Sequence, residues 1–135
     1  KNCSKSMIAA HKKFKSSIMA TMNVHKTTIS RWGVFDIKKK LNKNNFLING
    51  VVEKPSLKKA PSNKVVIGRY ILPKAIFKKL ANQKPGIGGE IHITDSIQSL
   101  INDNYKFIAH KFFGKYLDCG TMKGYLKSSL EISKI

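Results

Sequence analysis

The sequence predicts an α/β fold in which a mixed sheet is covered by helices. Two observations carry this. Short β-branched runs at residues 51–52 and 65–67 are bounded by the turn formers Pro55, Pro61, Ser62 and Asn63. Other segments space their apolar residues three and four apart, as Ile97, Leu100 and Ile101 do, which is the period of a helix. The predicted order is helix, four strands, two helices, strand, helix. Strands mixed with helices in one short chain build a sheet with helical cover.

The elements follow in order. Residues 4–14 place Met7, Ile8, His11 and Phe14 on one helical face, with Ser4 or Ser6 as the N-cap. Ile18, Ala20 and Met22 alternate, which predicts a strand. Residues 23–31 are polar and Thr-rich and read as a loop or a short helical turn. Residues 32–37 form a short strand carrying Gly33. A charged loop over 38–45 ends in the turn signal Asn44–Asn45. Phe46, Leu47 and Ile48 lead into the run Val51–Val52, which Pro55 stops because proline cannot donate to a sheet ladder. The second run, 65–67, continues through Gly68, Arg69 and Tyr70.

Pro73 suits the first position of a helix whose inner face is Ile76, Phe77 and Leu80. Residues 83–90 are a glycine-rich loop without the spacing or the trailing Lys-Ser/Thr of a Walker loop. Thr94 is the expected cap of the next helix, with Ile93 as its staple. Residues 105–113 read as a strand. Asp118, Cys119 and Gly120 form a turn. Thr121 caps a last helix that turns Met122, Tyr125, Leu126 and Leu130 inward.

Length and composition narrow the function classes. The chain has 135 residues and is 41% hydrophobic, enough for one domain with a core. No apolar run approaches the roughly 20 residues of a membrane span. Cys3 and Cys119 lie far apart with no motif spacing, so both read as reduced thiols, and a cytoplasmic location is expected. The net charge of +19 raises nucleic acid as a partner. However, 24 of the 26 cations are lysine and only Arg31 and Arg69 are arginine, whereas base readout and bidentate phosphate clamps favour arginine. The lysines are also spread along the whole chain. A solvated lysine surface is the expectation, with salt-sensitive sticking to polyanions and no specific nucleic-acid site.

The stretch 51–70, VVEKPSLKKAPSNKVVIGRY, reads as strand, loop, strand, with Glu53 and Lys54 where the first strand runs out. Loops at strand ends are where α/β sheets hold ligands. VVEKP, APSN and IGRYIL resemble the sugar-side segment of the bacterial UTP–glucose-1-phosphate uridylyltransferase (UDP-glucose pyrophosphorylase) family. SRWGVFD at 30–36, KPGIGGEIHITDS at 84–96 and YLDCGTMKGYL at 116–126 are similar to further motifs of that family, in family order.

The resemblance implies a nucleotidyltransferase, Rossmann-like fold and synthesis of UDP-glucose from UTP and glucose 1-phosphate with Mg2+. It implies that residues 1–135 are a single domain equivalent to the C-terminal half of that family. This chain starts at Lys1 and carries neither the family's glycine-rich nucleotide loop nor its N-terminal metal aspartate. These residues alone are therefore expected to be inactive. A non-catalytic remnant or binding module of the same fold is the alternative, followed by a basic nucleic-acid-binding protein. The expected partners are the two small substrates, with no membrane and with self-association left open.

By the same resemblance, Gly33 lets its backbone approach the glucose ring, where a side chain would intrude. Glu53 accepts hydrogen bonds from the sugar hydroxyls. Lys54 reaches the phosphates and is the expected catalytic residue. Gly68 leaves space beside the pocket. Asp118 is the expected magnesium ligand. Each has a plainer reading: a turn glycine, an ion pair with Lys54 or Lys58, a solvated lysine, a strand bulge and a turn aspartate. Asp95 reads as a first-turn carboxylate facing the positive end of its helix.

Overall fold

The computed structural model describes residues 2–135, apart from the side chain of Ile87. Helix α1 spans Cys3–Phe14, strand β1 Ser17–Asn23, β2 Gly33–Lys40, β3 Asn45–Glu53 and β4 Lys64–Ile71. Helices α2, Ala75–Ala81, and α3, Ile93–Asn102, precede β5, Phe107–Lys111, and α4, Met122–Ile132. Two short 3-10 turns occupy Lys26–Arg31 and Ile87–Gly89. The expected order of helices and strands is the observed one.

The strands pair in the order β1-β4-β2-β3-β5, and β5 returns to β1, so the sheet curls until its edges meet. β1 and β5 are parallel and the other pairings antiparallel, which makes the sheet mixed. The pair Val34↔Val65 joins β2 to β4. Strand alternation sends neighbouring side chains to opposite faces. Met19, Phe35, Val51, Val66 and Phe107 pack with Ile97 and Leu100 of α3 and Ile76 of α2. Ile18, Ala20, Val34, Val65 and Ile108 pack instead with Met7 and Ala10 of α1. Each fully buried Phe or Ile contributes about 1.5–3 kcal/mol to holding these layers together.

Several local expectations are corrected. The cap of α1 is Asn2, whose side chain accepts from the Lys5 N–H at 3.1 Å, and not Ser4 or Ser6. Ile8 is exposed, and Ala10 takes its place on the buried face. β2 runs on to Lys40, because the ladder with β3 continues through Lys40↔Phe46 and leaves only residues 41–44 for the turn. Asn42 Oδ1 closes that turn by accepting from the Asn44 N–H and the Asn45 side-chain amide. α2 begins two residues after Pro73, whose carbonyl accepts from the Ile76 N–H at 3.0 Å. Phe77 is 72% exposed. Strand β5 is shorter than the expected 105–113, ending at Lys111.

The largest difference is in α4. Thr121 caps it as expected, accepting from the Gly124 N–H at 3.1 Å. Yet Met122, Tyr125, Leu126 and Leu130 all face solvent, and the buried residue is Ser128. Periodicity locates the helix and its apolar stripe, but it cannot say whether anything covers that stripe.

Candidate functional site

The site grows from one register pair, Gly33 of β2 opposite Glu53 of β3. Both stand at the strand ends that lead away from the β2–β3 turn. A Cβ built on Gly33 would lie 3.0 Å from Glu53 Oε2 and 3.3 Å from Val51 Cγ1. The glycine therefore makes room for the carboxylate beside it. On the other side, the Thr94 hydroxyl in the first turn of α3 donates to the same Oε2 at 3.1 Å. Thr94 is not the cap of α3 that its sequence predicts. The helix starts at Ile93 and the N-cap is His92, so the buried hydroxyl turns toward the sheet.

Lys54 follows directly. Its φ is +43°, a left-handed conformation uncommon for a residue with a side chain. The Lys54 N–H donates to the Trp32 carbonyl at 3.0 Å, extending the β2–β3 ladder by one bond while the chain turns. Such a conformation costs about 1–3 kcal/mol and persists only where its surroundings impose it. The buried Pro55 comes next. The Lys54 side chain is exposed, as are Lys58 and Lys59 in the turn beyond.

Aromatic side chains connect this end of the sheet to the segment before α4. Trp32 and Tyr116 meet edge to face, with centroids 5.4 Å apart and planes at 67°. Burial raises the Tyr70 hydroxyl pKa, and the charges of Glu53 and Tyr116 raise it further. Burial likewise raises Tyr116, and the Asp118 carboxylate adds to the effect. The Tyr70 and Tyr116 hydroxyls thus sense the Glu53 and Asp118 carboxylates. Both arginines flank these groups. Arg31 lines a cavity of ≈ 590 Å³ with Tyr116 and Asp118, and Arg69 lines one of ≈ 350 Å³ with Tyr116 and Leu117.

Gly33, Glu53 and Lys54 are therefore contiguous, and Asp118 belongs to the same neighbourhood through Tyr116. Asp118 is exposed, with Oδ1 accepting from the Gly120 N–H at 3.0 Å, as in its plain turn reading. Gly68 lies on β4 where the register with β1 shifts, at φ +72° and exposed. A Cβ there would meet nothing within 4 Å, so backbone conformation explains this glycine. Asp95 is exposed in the first turn of α3, as expected. Among the described residues no three His, Cys, Asp or Glu side chains gather as a metal cluster. Cys3 and Cys119 are free thiols. No described helix is long and apolar enough to cross a membrane. Sequence reasoning missed Thr94, Tyr70 and Tyr116 as site neighbours. All three sit inside the motifs that carry the family resemblance, and that position was the available signal.

Comparison with known proteins gives the family. The Nucleotidyl transferase family model matches residues 2–135. The UTP–glucose-1-phosphate uridylyltransferase of Pseudomonas aeruginosa is 38% identical over 125 residues, 93% of this chain and 44% of the relative. UTP–glucose-1-phosphate uridylyltransferase 2 of Streptococcus pyogenes is 34% identical over 131 residues, 97% of this chain and 44% of the relative. A crystal structure of UDP-glucose pyrophosphorylase complexed with UDP-glucose superposes with a TM-score of 0.88 at 38% identity, covering 96% of this chain and 48% of that one. The chain spans about half the length of the relatives it matches. These matches establish the family and the span, and not the expected assignment to the C-terminal half.

Proposed function

Because this chain belongs to the Nucleotidyl transferase family, we propose that it supplies the sugar-phosphate side of a uridylyltransferase that makes UDP-glucose from UTP and glucose 1-phosphate. The observation that carries this reading is the pair Gly33↔Glu53, with Oε2 held by Thr94 and Lys54 immediately beyond. The names of the relatives and the UDP-glucose complex of a similar structure support the choice of sugar nucleotide.

In the reaction a phosphate oxygen of glucose 1-phosphate attacks the α-phosphorus of UTP, and pyrophosphate leaves. Phosphoryl-type transfer of this kind depends on positioning and charge neutralisation. Gly33, buried and without a side chain, leaves the room in which the Glu53 carboxylate sits. Glu53, held through Oε2, presents its other oxygen to sugar hydroxyls, which an acceptor-only carboxylate suits. The Lys54 ammonium offsets the repulsion between the incoming phosphate and the triphosphate, which is greatest as the two close. Asp118 fits Mg2+ as one exposed hard oxygen ligand, and this ion commonly takes one or two carboxylates together with substrate phosphates. When bound there, the ion supplies further neutralisation of phosphate charge.

The test is titration of glucose 1-phosphate into the 135-residue chain, followed by amide NMR. Saturable shifts centred on Gly33, Glu53 and Lys54, weakened at least about 10-fold in Glu53→Ala, are expected. Shifts scattered over the lysine surface without saturation would overturn the reading. With UTP and Mg2+ added, these residues alone are expected to give no turnover, since they include no glycine-rich phosphate loop.

A further inference from the structure

Three of the lysines scattered along the sequence come to one end of the sheet. Lys40 ends β2 directly opposite Phe46. Lys64 opens β4, and its ammonium lies 4.8 Å from the centroid of the Phe46 ring and 3.4 Å from Asn23 Oδ1. On its other side Phe46 pairs with Ala109 of β5. Lys111 is two residues further along β5, hence on the same face of the sheet. Its N–H donates to the Asn44 carbonyl at 2.7 Å, and its ammonium lies 5.2 Å from the Phe113 ring.

Three lysines from three different strands thus stand at one end of the sheet, Lys64 over Phe46 and Lys111 over Phe113, at the opposite end of β3 from Glu53 and roughly 20 Å from it along the strand. Lys38, Lys39 and Lys43 stand exposed on the adjoining hairpin. Among the described residues none of these six lysines forms an ion pair, while Lys79, Lys115 and Lys134 do. Burial lowers the Lys64 pKa, and the positive charges of Lys111 and Lys40 lower it further. The cluster carries uncompensated repulsion that a bound anion would relieve.

We propose that Lys40, Lys64 and Lys111 form a binding site for a compact multivalent phosphate anion, separate from the Glu53 end of the sheet. Lysine ammoniums recognise phosphate as point charges, and three of them converging suit a ligand with several charges in a small volume. A nucleic-acid strand fits less well. Phe46 is buried beneath Lys64, where no base could stack on it. Neither arginine is in the cluster.

The probe is inorganic tripolyphosphate, titrated calorimetrically into the full 135-residue chain at about 0.15 M salt. The triple variant Lys40→Gln, Lys64→Gln, Lys111→Gln is compared with Lys58→Gln, Lys59→Gln, Lys74→Gln, which removes the same charge elsewhere. Circular dichroism checks that both remain folded. The cluster triple is expected to weaken binding about 10-fold or more and the control triple less than about 2-fold. The single change Lys40→Gln, at an exposed side chain, should weaken binding measurably if the triple fails to fold. Equal losses in both triples would overturn the site, as would a loss confined to Lys54→Ala. A single-stranded oligonucleotide of equal charge that binds more tightly than tripolyphosphate, and suffers the same loss in the cluster triple, would overturn the small-anion assignment in favour of nucleic acid.

Discussion

Thr94 donates its hydroxyl to Oε2 of Glu53 across 3.1 Å, tying the first turn of α3 to the last residue of β3. The donor is buried and the acceptor half-buried, so the carboxylate is oriented before any ligand arrives. Preorganisation of this kind spares a binding site the cost of fixing a flexible side chain.

Thr94→Val keeps the shape of the side chain and removes the donor. The expected loss is about 1 kcal/mol of stability. Glucose 1-phosphate affinity should fall with it, and Thr94→Ser should restore both. Thermal unfolding and titration of the three proteins check this. Full affinity in Thr94→Val would show that Glu53 is held by other means.

Gly33→Ala should disturb the same carboxylate from the opposite side. The new methyl would sit 3.0 Å from Oε2 and 3.3 Å from Val51 Cγ1, so Glu53 must move. A stability cost of about 1–3 kcal/mol is expected, as for other overpacked sites. Sugar-phosphate affinity should drop together with it. Unchanged denaturant and thermal midpoints in Gly33→Ala would mean that β2 and β3 can part at this pair without cost.

Lys54→Ala, made in a catalytically complete enzyme carrying this segment, should lower turnover by roughly 10²-fold or more, the scale for loss of one preorganised charge-stabilising group. Lys58→Ala and Lys59→Ala, in the exposed turn, should cost little. Glu53→Ala should act mainly through KM for glucose 1-phosphate, because sugar hydroxyls are held throughout the reaction. Equal, small effects at Lys54 and Lys58 would move the phosphate contact elsewhere.

His110 ties the stability of the fold to pH. It is buried in β5, where its Nδ1–H donates to Asn45 Oδ1 at 2.8 Å, and burial lowers its pKa. The unfolded chain therefore binds the proton more readily than the folded one, with a pKa of about 6.5. The histidine's contribution is fully present above that pH and is lost as pH falls through the folded value. Denaturant midpoints should decline as pH falls below about 6.5. His110→Gln, which cannot take up a proton there, should flatten that decline. An identical slope in the variant would assign the effect to other groups.

The sequence by itself determined the order of helices and strands, because that order follows from local period and from turn chemistry that a few residues decide. It also determined that Glu53 and Lys54 stand where a strand runs out, since Pro55 ends the ladder. Only the tertiary structure decided what those residues meet. The hydroxyl of Thr94 has the composition of a helix cap, and it turns to Glu53 because α3 starts at Ile93 and packs against β3. The stripe of Met122, Tyr125, Leu126 and Leu130 has the period of a buried face and lies in solvent, because burial depends on a partner surface that periodicity does not encode. Lys40, Lys64 and Lys111 lie dozens of residues apart in the chain and converge because the sheet closes through β1-β4-β2-β3-β5, and strand pairing across such separations is a property of the fold.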